Sequence, residues 1–115
     1  LLKEFQIARV AADPACVPLA AQPGGLPSPV YFRLHGSPRV YYSTYTDDFL
    51  NALAERLTDL PASSEIWCIF DNTAFGAAIP NAVALTAKMC AKTSRKAPFS
   101  FLTIIKSELI WEIVQ

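Results

Sequence analysis

The residues best suited to chemistry lie in the run Val30-Tyr31-Phe32-Arg33-Leu34-His35-Gly36, which places an arginine two positions before the only histidine of the chain. In an extended segment side chains alternate in direction, so Tyr31, Arg33 and His35 share one face while Phe32 and Leu34 take the other. An imidazole changes protonation near neutrality and serves as a general acid or base. A guanidinium presents a planar fork that grips a carboxylate or phosphate with two bonds. Gly36 lets the backbone turn just past both groups. The plainer readings are a histidine hydrogen-bonded at a strand end and an arginine locked in an ion pair with Asp13 or Asp71. Nucleophilic catalysis has little support, because Ser43, Cys16, Cys68 and Cys90 lack a recognisable elbow or base partner in sequence.

A site at a strand end needs elements to hold it. Glu4 to Ala12 contains Phe5, Ile7 and Val10 in a β-type run, ended by Asp13-Pro14, since a residue before proline is pushed out of helical space. Residues 14–29 carry five of the nine prolines plus Gly24-Gly25, which fits an irregular loop. Val30 to Leu34 is the second strand, and Gly36-Ser37-Pro38 leads into Tyr41, Tyr42 and Tyr45. Aromatic side chains mostly pack in cores, yet three tyrosines this close to a strand end are placed to line a pocket. Thr46 reads as an N-cap, with Asp47 and Asp48 in the first turn and Phe49, Leu50, Leu53, Ala54 and Leu57 at helical spacing. Ile66 to Phe70 is a near-continuous apolar run, as expected of a parallel strand covered on both faces. Gly76 to Lys92 forms a second helix, with Pro80 near its start and Ile79, Ala82, Val83, Met89 and Cys90 on the expected buried stripe. The alternation of strands and helices predicts an α/β domain with a parallel sheet. The tail is ambiguous between strand and helix, and its last half is read as helical.

The 115-residue chain is the size of one domain, and its 52% hydrophobic content is ample for a core. Ten basic and ten acidic residues cancel, which speaks against a nucleic-acid partner. The short Lys92, Arg95, Lys96 cluster suits a helix C-terminus. An odd cysteine count without C-x-x-C spacing argues against a disulfide framework or zinc knuckle, and is read as buried thiols in a reducing cytoplasm. Phe99 to Val114 is interrupted by charges and too short for a membrane span. Leu1 is not an initiator methionine, so any targeting signal is expected upstream.

Three segments together resemble the YecE-like family of uncharacterised proteins, also known as domain of unknown function 72 (DUF72). They are Ala8-Arg9-Val10-Ala11-Ala12-Asp13-Pro14; Tyr31 to Pro38 with Tyr41 to Tyr45; and Trp67-Cys68-Ile69-Phe70-Asp71-Asn72-Thr73 with Gly76-Ala77-Ala78 and Asn81-Ala82. The resemblance implies a (β/α)₈ TIM-type barrel of about 250 residues, of which this chain holds the last three parallel strands with flanking helices. Residues 1–92 are then a C-terminal fragment of the barrel domain. Residues 93–115 are a partly helical tail that matches nothing in the family, consistent with a truncated, fused or frameshifted reading frame. A three-stranded parallel sheet leaves open edges, so marginal stability and self-association are expected.

Barrel chemistry collects at the carboxyl ends of strands, and Asp13, Arg33, His35, Asp71 and Asn72 all lie at such ends. Parity further places Arg9 with Asp13. His35 and Asp71 are the catalytic candidates, and Asp13, Arg33, Asn72 and Tyr42 the ligand-binding ones. Of Asp71 and Asn72, one is expected to face the site and the other to cap the turn into the last helix. A divalent-metal set of Asp13, His35 and Asp71 is a lesser alternative, and no metal is assigned. The implied function is binding or processing of a small polar ligand, anionic or sugar-like. An inactive remnant or interaction module is the alternative, and a phosphate- or nucleic-acid-processing hydrolase is the runner-up among enzymes. Substrate, reaction and cofactor stay open.

Overall fold

A computed structural model of the chain describes residues 1–93, 100–106 and 111–114, with side-chain surroundings through residue 92. In chain order the elements are β1 (Ala8–Arg9), β2 (Ala11–Asp13), a 3-10 turn (Pro18–Ala21), β3 (Gly24–Gly25) and β4 (Val30–Leu34). They continue with α1 (Asp47–Thr58), β5 (Glu65–Phe70), α2 (Ala78–Thr93), β6 (Ser100–Lys106) and β7 (Trp111–Val114). The main sheet has the order β2-β4-β5-β6-β7. β2, β4, β5 and β6 run parallel, and β7 returns antiparallel to β6. Mixed α/β architecture with parallel strands and helices is therefore the fold. Among the described residues no helix is long and apolar enough to cross a membrane.

The core explains why the two helices lie where they do. Val30, Phe32 and Leu34 of β4, with Ile66, Cys68 and Phe70 of β5, form one apolar sheet surface. Leu50, Leu53, Ala54 and Leu57 of α1 and Ala78, Ala82, Leu85 and Met89 of α2 pack onto it. Burying each large side chain here contributes about 1.5–3 kcal/mol. Thr46 caps α1, its hydroxyl accepting from the Phe49 N–H at 3.2 Å. Asp47 reaches Lys88 of α2 at 2.7 Å, and that ammonium holds the exposed carboxyl below its usual range. Because the helices share one sheet face, the opposite face of β4 and β5 carries Tyr31, Arg33, Trp67 and Ile69.

Several sequence expectations are corrected. The run from Glu4 to Ala12 is not one strand: Gln6 adopts φ 55°, and the Ile7 N–H turns back to the Leu2 carbonyl at 2.8 Å. The chain becomes extended only at β1, which pairs with β3 in a separate two-stranded sheet. Arg9 thereby bonds the Gln22 carbonyl at 3.2 Å, away from Asp13. The stripe expected on α2 holds at Ala82 and Met89 but not elsewhere: Ile79 and Val83 are about half exposed and Cys90 is exposed, while Ala78 and Leu85 complete the core face. Cys68 alone of the three cysteines is buried, and its burial pushes the thiol pKa up.

The tail also differs from the helix expected over its last half. Ser100–Lys106 aligns with β5 from Glu65↔Ser100 to Phe70↔Ile105, making a fourth parallel strand. β7 then pairs with it over Trp111–Val114. The unpaired edge of β5 offers backbone donors and acceptors that an isolated helix cannot use, so the residues beyond α2 extend the same sheet. Arg95 and Lys96 lie outside the described residues.

Candidate functional site

Strand register decides which of the predicted residues meet. Arg33 aligns with Ile69 and Leu34 with Phe70, so one step further the same face receives His35 and Asp71. Asp71 uses both carboxylate oxygens there. Oδ2 accepts from Arg33 Nε at 2.9 Å, and Oδ1 lies 2.9 Å from His35 Nδ1. That approach is an ion-pair contact and not an aligned hydrogen bond, and neither His35 Nδ1 nor Asp71 Oδ1 has a hydrogen-bond partner among the described residues. Two lone pairs would repel at that distance, so the approach is favourable with a proton on one of the two atoms. Nε2 is left without a hydrogen-bond partner among the described residues. The His35 and Arg33 side chains are 26% and 23% exposed and Asp71 8%, so the acid lies at the bottom and the two basic groups above it.

Tyr31, two residues back on the same face, accepts from Arg33 Nη1 through its hydroxyl at 3.4 Å. Partial burial alone would weaken the Arg33 charge, but the bonds to Asp71 and Tyr31 outweigh it and the guanidinium pKa is raised. Nη2 keeps its donors for something else.

Asp13 and Asn72 belong to a second cluster, on the helix-covered face. Asp13 aligns with Leu34, which turns its side chain away from Arg33 and His35. Its carboxylate accepts the Tyr45 hydroxyl proton at 2.8 Å, and the same phenol oxygen accepts from the Gly36 N–H at 2.8 Å. The Asp13 carbonyl in turn accepts from the His35 N–H at 2.8 Å. Burial first, with Asp13 adding to it, pushes the Tyr45 pKa up despite the opposing Gly36 bond. Asn72 is fully buried and donates through Nδ2 to the Ser43 carbonyl at 2.9 Å and to Asn81 Oδ1 at 3.0 Å. Its Oδ1 has no partner among the described residues. Asn81 also accepts from the Tyr45 N–H at 2.9 Å and donates to the Tyr45 carbonyl at 3.2 Å.

Asp71 and Asn72 thus go to different surroundings. Asp71 joins Arg33 and His35, whereas Asn72 ties the loop after β4 to α2 instead of capping that helix. Asp13 does not reach Asp71 and His35, and among the described residues no three His, Cys, Asp or Glu side chains gather as a metal site would require. Tyr42 is exposed on the loop, with the Arg39 guanidinium 3.8 Å over its ring. The sequence marks Tyr45 only as one of three tyrosines near a strand end and Asn81 only as part of a family motif, with no sign that the two bond each other. The sign that could have found Asn81 is a polar amide in the first turns of an otherwise alanine-rich helix.

These features define an α/β chain that gathers an acid, an imidazole and a guanidinium at the carboxyl ends of two adjacent parallel strands. The chain belongs to the family described as protein of unknown function DUF72, whose model matches residues 1–100. That is the YecE-like family its motifs resemble. No curated protein and no solved structure matches the chain.

Proposed function

We propose that the chain is the closing part of a (β/α)₈ barrel and that Arg33, His35 and Asp71 bind and process a small polar ligand, anionic or sugar-like, at its mouth. The barrel reading is supported by helices confined to one face of β4 and β5, with the polar cluster on the face that a closed barrel would turn inward. The observation that carries the functional reading is the double use of Asp71, which holds Arg33 Nε and His35 Nδ1 at 2.9 Å each.

Asp71 fixes the imidazole so that Nε2 is the nitrogen presented to a ligand. Nε2 takes a proton from a ligand hydroxyl or returns one, and the adjacent carboxylate stabilises the imidazolium that forms. Arg33 keeps its outer donors for a carboxylate, phosphate or sugar hydroxyl. Asp13, Asn72 and Tyr45 are positioning residues in this scheme, acting through the loop that carries His35. The test is titration with inorganic phosphate, read at the ring resonances of the single histidine. Saturable shifts are expected, lost in Arg33→Ala; shifts absent, or unchanged in Arg33→Ala, overturn the reading.

A further inference from the structure

The rim beside the acid–imidazole–guanidinium cluster holds more aromatic surface in water than a connecting loop needs. Tyr41, Tyr42 and Phe75 are 51%, 39% and 79% exposed, and all three stand on the loops that follow β4 and β5. A contiguous apolar patch of this kind marks a contact surface. The backbone that carries them is also held in place. The Tyr41 N–H donates to the His35 carbonyl at 2.6 Å, and the Tyr41 carbonyl accepts from the Ala74 N–H at 3.0 Å, which ties the two loops together. Tyr41 itself sits at φ 69°, a conformation that bulky residues rarely adopt. Its ring meets the His35 imidazole edge-on at 5.9 Å. Tyr42 meets Phe75 in the same manner at 5.2 Å.

Charge adds a second, independent constraint. Arg39 lies over the Tyr42 ring at 3.8 Å and has no acidic partner among the described residues. Arg39 thus sets a positive charge beside the Tyr42 ring, although the chain as a whole is neutral. Flat exposed rings next to an uncompensated guanidinium suit a ligand that is both planar and anionic.

We infer that the rim formed by Tyr42, Phe75 and Arg39 is the ring-binding half of the site, for an aromatic anion of the nucleoside monophosphate kind. The heteroaromatic ring stacks on Phe75, with Tyr42 edge-on beside it, and the phosphate is taken by the guanidiniums. This rests on the proposed ligand site at Arg33 and His35 and names its substrate class.

The experiment is calorimetric titration of the chain with adenosine monophosphate, ribose 5-phosphate and inorganic phosphate, repeated for Phe75→Ala and Tyr42→Ala. Phe75 has little packing behind it, and circular dichroism checks that both variants stay folded. The nucleotide is expected to bind about tenfold or more tightly than the two ring-free phosphates, as stacking on aromatic side chains requires. Phe75→Ala is expected to remove that preference while phosphate binding persists. Equal binding of nucleotide and ribose 5-phosphate, or a preference unchanged in both variants, overturns the ring-binding inference and leaves the phosphate site standing. Absence of phosphate binding with a surviving, Phe75-dependent nucleotide preference overturns only the proposed anion site. Absence of all binding overturns both.

Discussion

At the scale of single residues, side-chain parity sorted the polar groups into two clusters with different work. Alternation along Val30 to Gly36 was readable from sequence, and it put Tyr31, Arg33 and His35 together. The position of Asp13 was not readable, because it depends on which residue of β4 lies beside it. Its alignment with Leu34 sends the carboxylate to Tyr45. That phenol links Asp13 to Gly36, so Tyr45→Phe removes one hydroxyl and strands two partners. A loss of about 1–3 kcal/mol is expected in chemical denaturation. Because burial raises the Tyr45 pKa in the folded chain, the neutral phenol is the favoured form there. Its stabilising contribution is full below the ordinary value of 10.0 and is lost as pH rises above it. Tyr45→Phe should therefore show a shallower loss of stability above that pH than the parent; equal slopes would contradict this account of the phenol.

At the scale of elements, local signals were most legible where the pattern was strong. Thr46 with Asp47 and Asp48 marks the start of α1, and its apolar positions have one clear phase. α2 is harder, since an alanine-rich helix with Ile79 and Val83 offers two similar stripes; the sheet selects Ala78, Ala82, Leu85 and Met89. β6 could not be told from a helix by periodicity, because its strand state comes from pairing with β5 far away in sequence. The loop after β4 depends on Gly36 at φ 95°, where an added Cβ would lie 2.9 Å from the Ser43 carbonyl oxygen and 3.1 Å from the Asn72 Cβ. Gly36→Ala is expected to lower the unfolding midpoint and to move the His35 ring resonances. A variant with wild-type stability and an unmoved histidine would show that this close approach is unimportant.

At the scale of the whole molecule, the family was legible from three short motifs, and the sheet edges set what the chain can do alone. β2 bonds to β4 on one side, and β7 bonds to β6 on one side, which among the described residues leaves an open edge at each end of the main sheet. Self-association through those edges is our expectation, with a thermal transition that shifts with protein concentration. A sharp, concentration-independent transition of a monomer would oppose it. The central claim is that Arg33, His35 and Asp71 form one ligand-binding unit on the helix-free sheet face, and the sole histidine makes it directly measurable. Nitrogen-15 spectra at alkaline pH should find the His35 proton on Nδ1, and inorganic phosphate should then perturb the ring saturably in the parent chain but not in Arg33→Ala. A proton on Nε2, together with a ring indifferent to phosphate, would contradict the account.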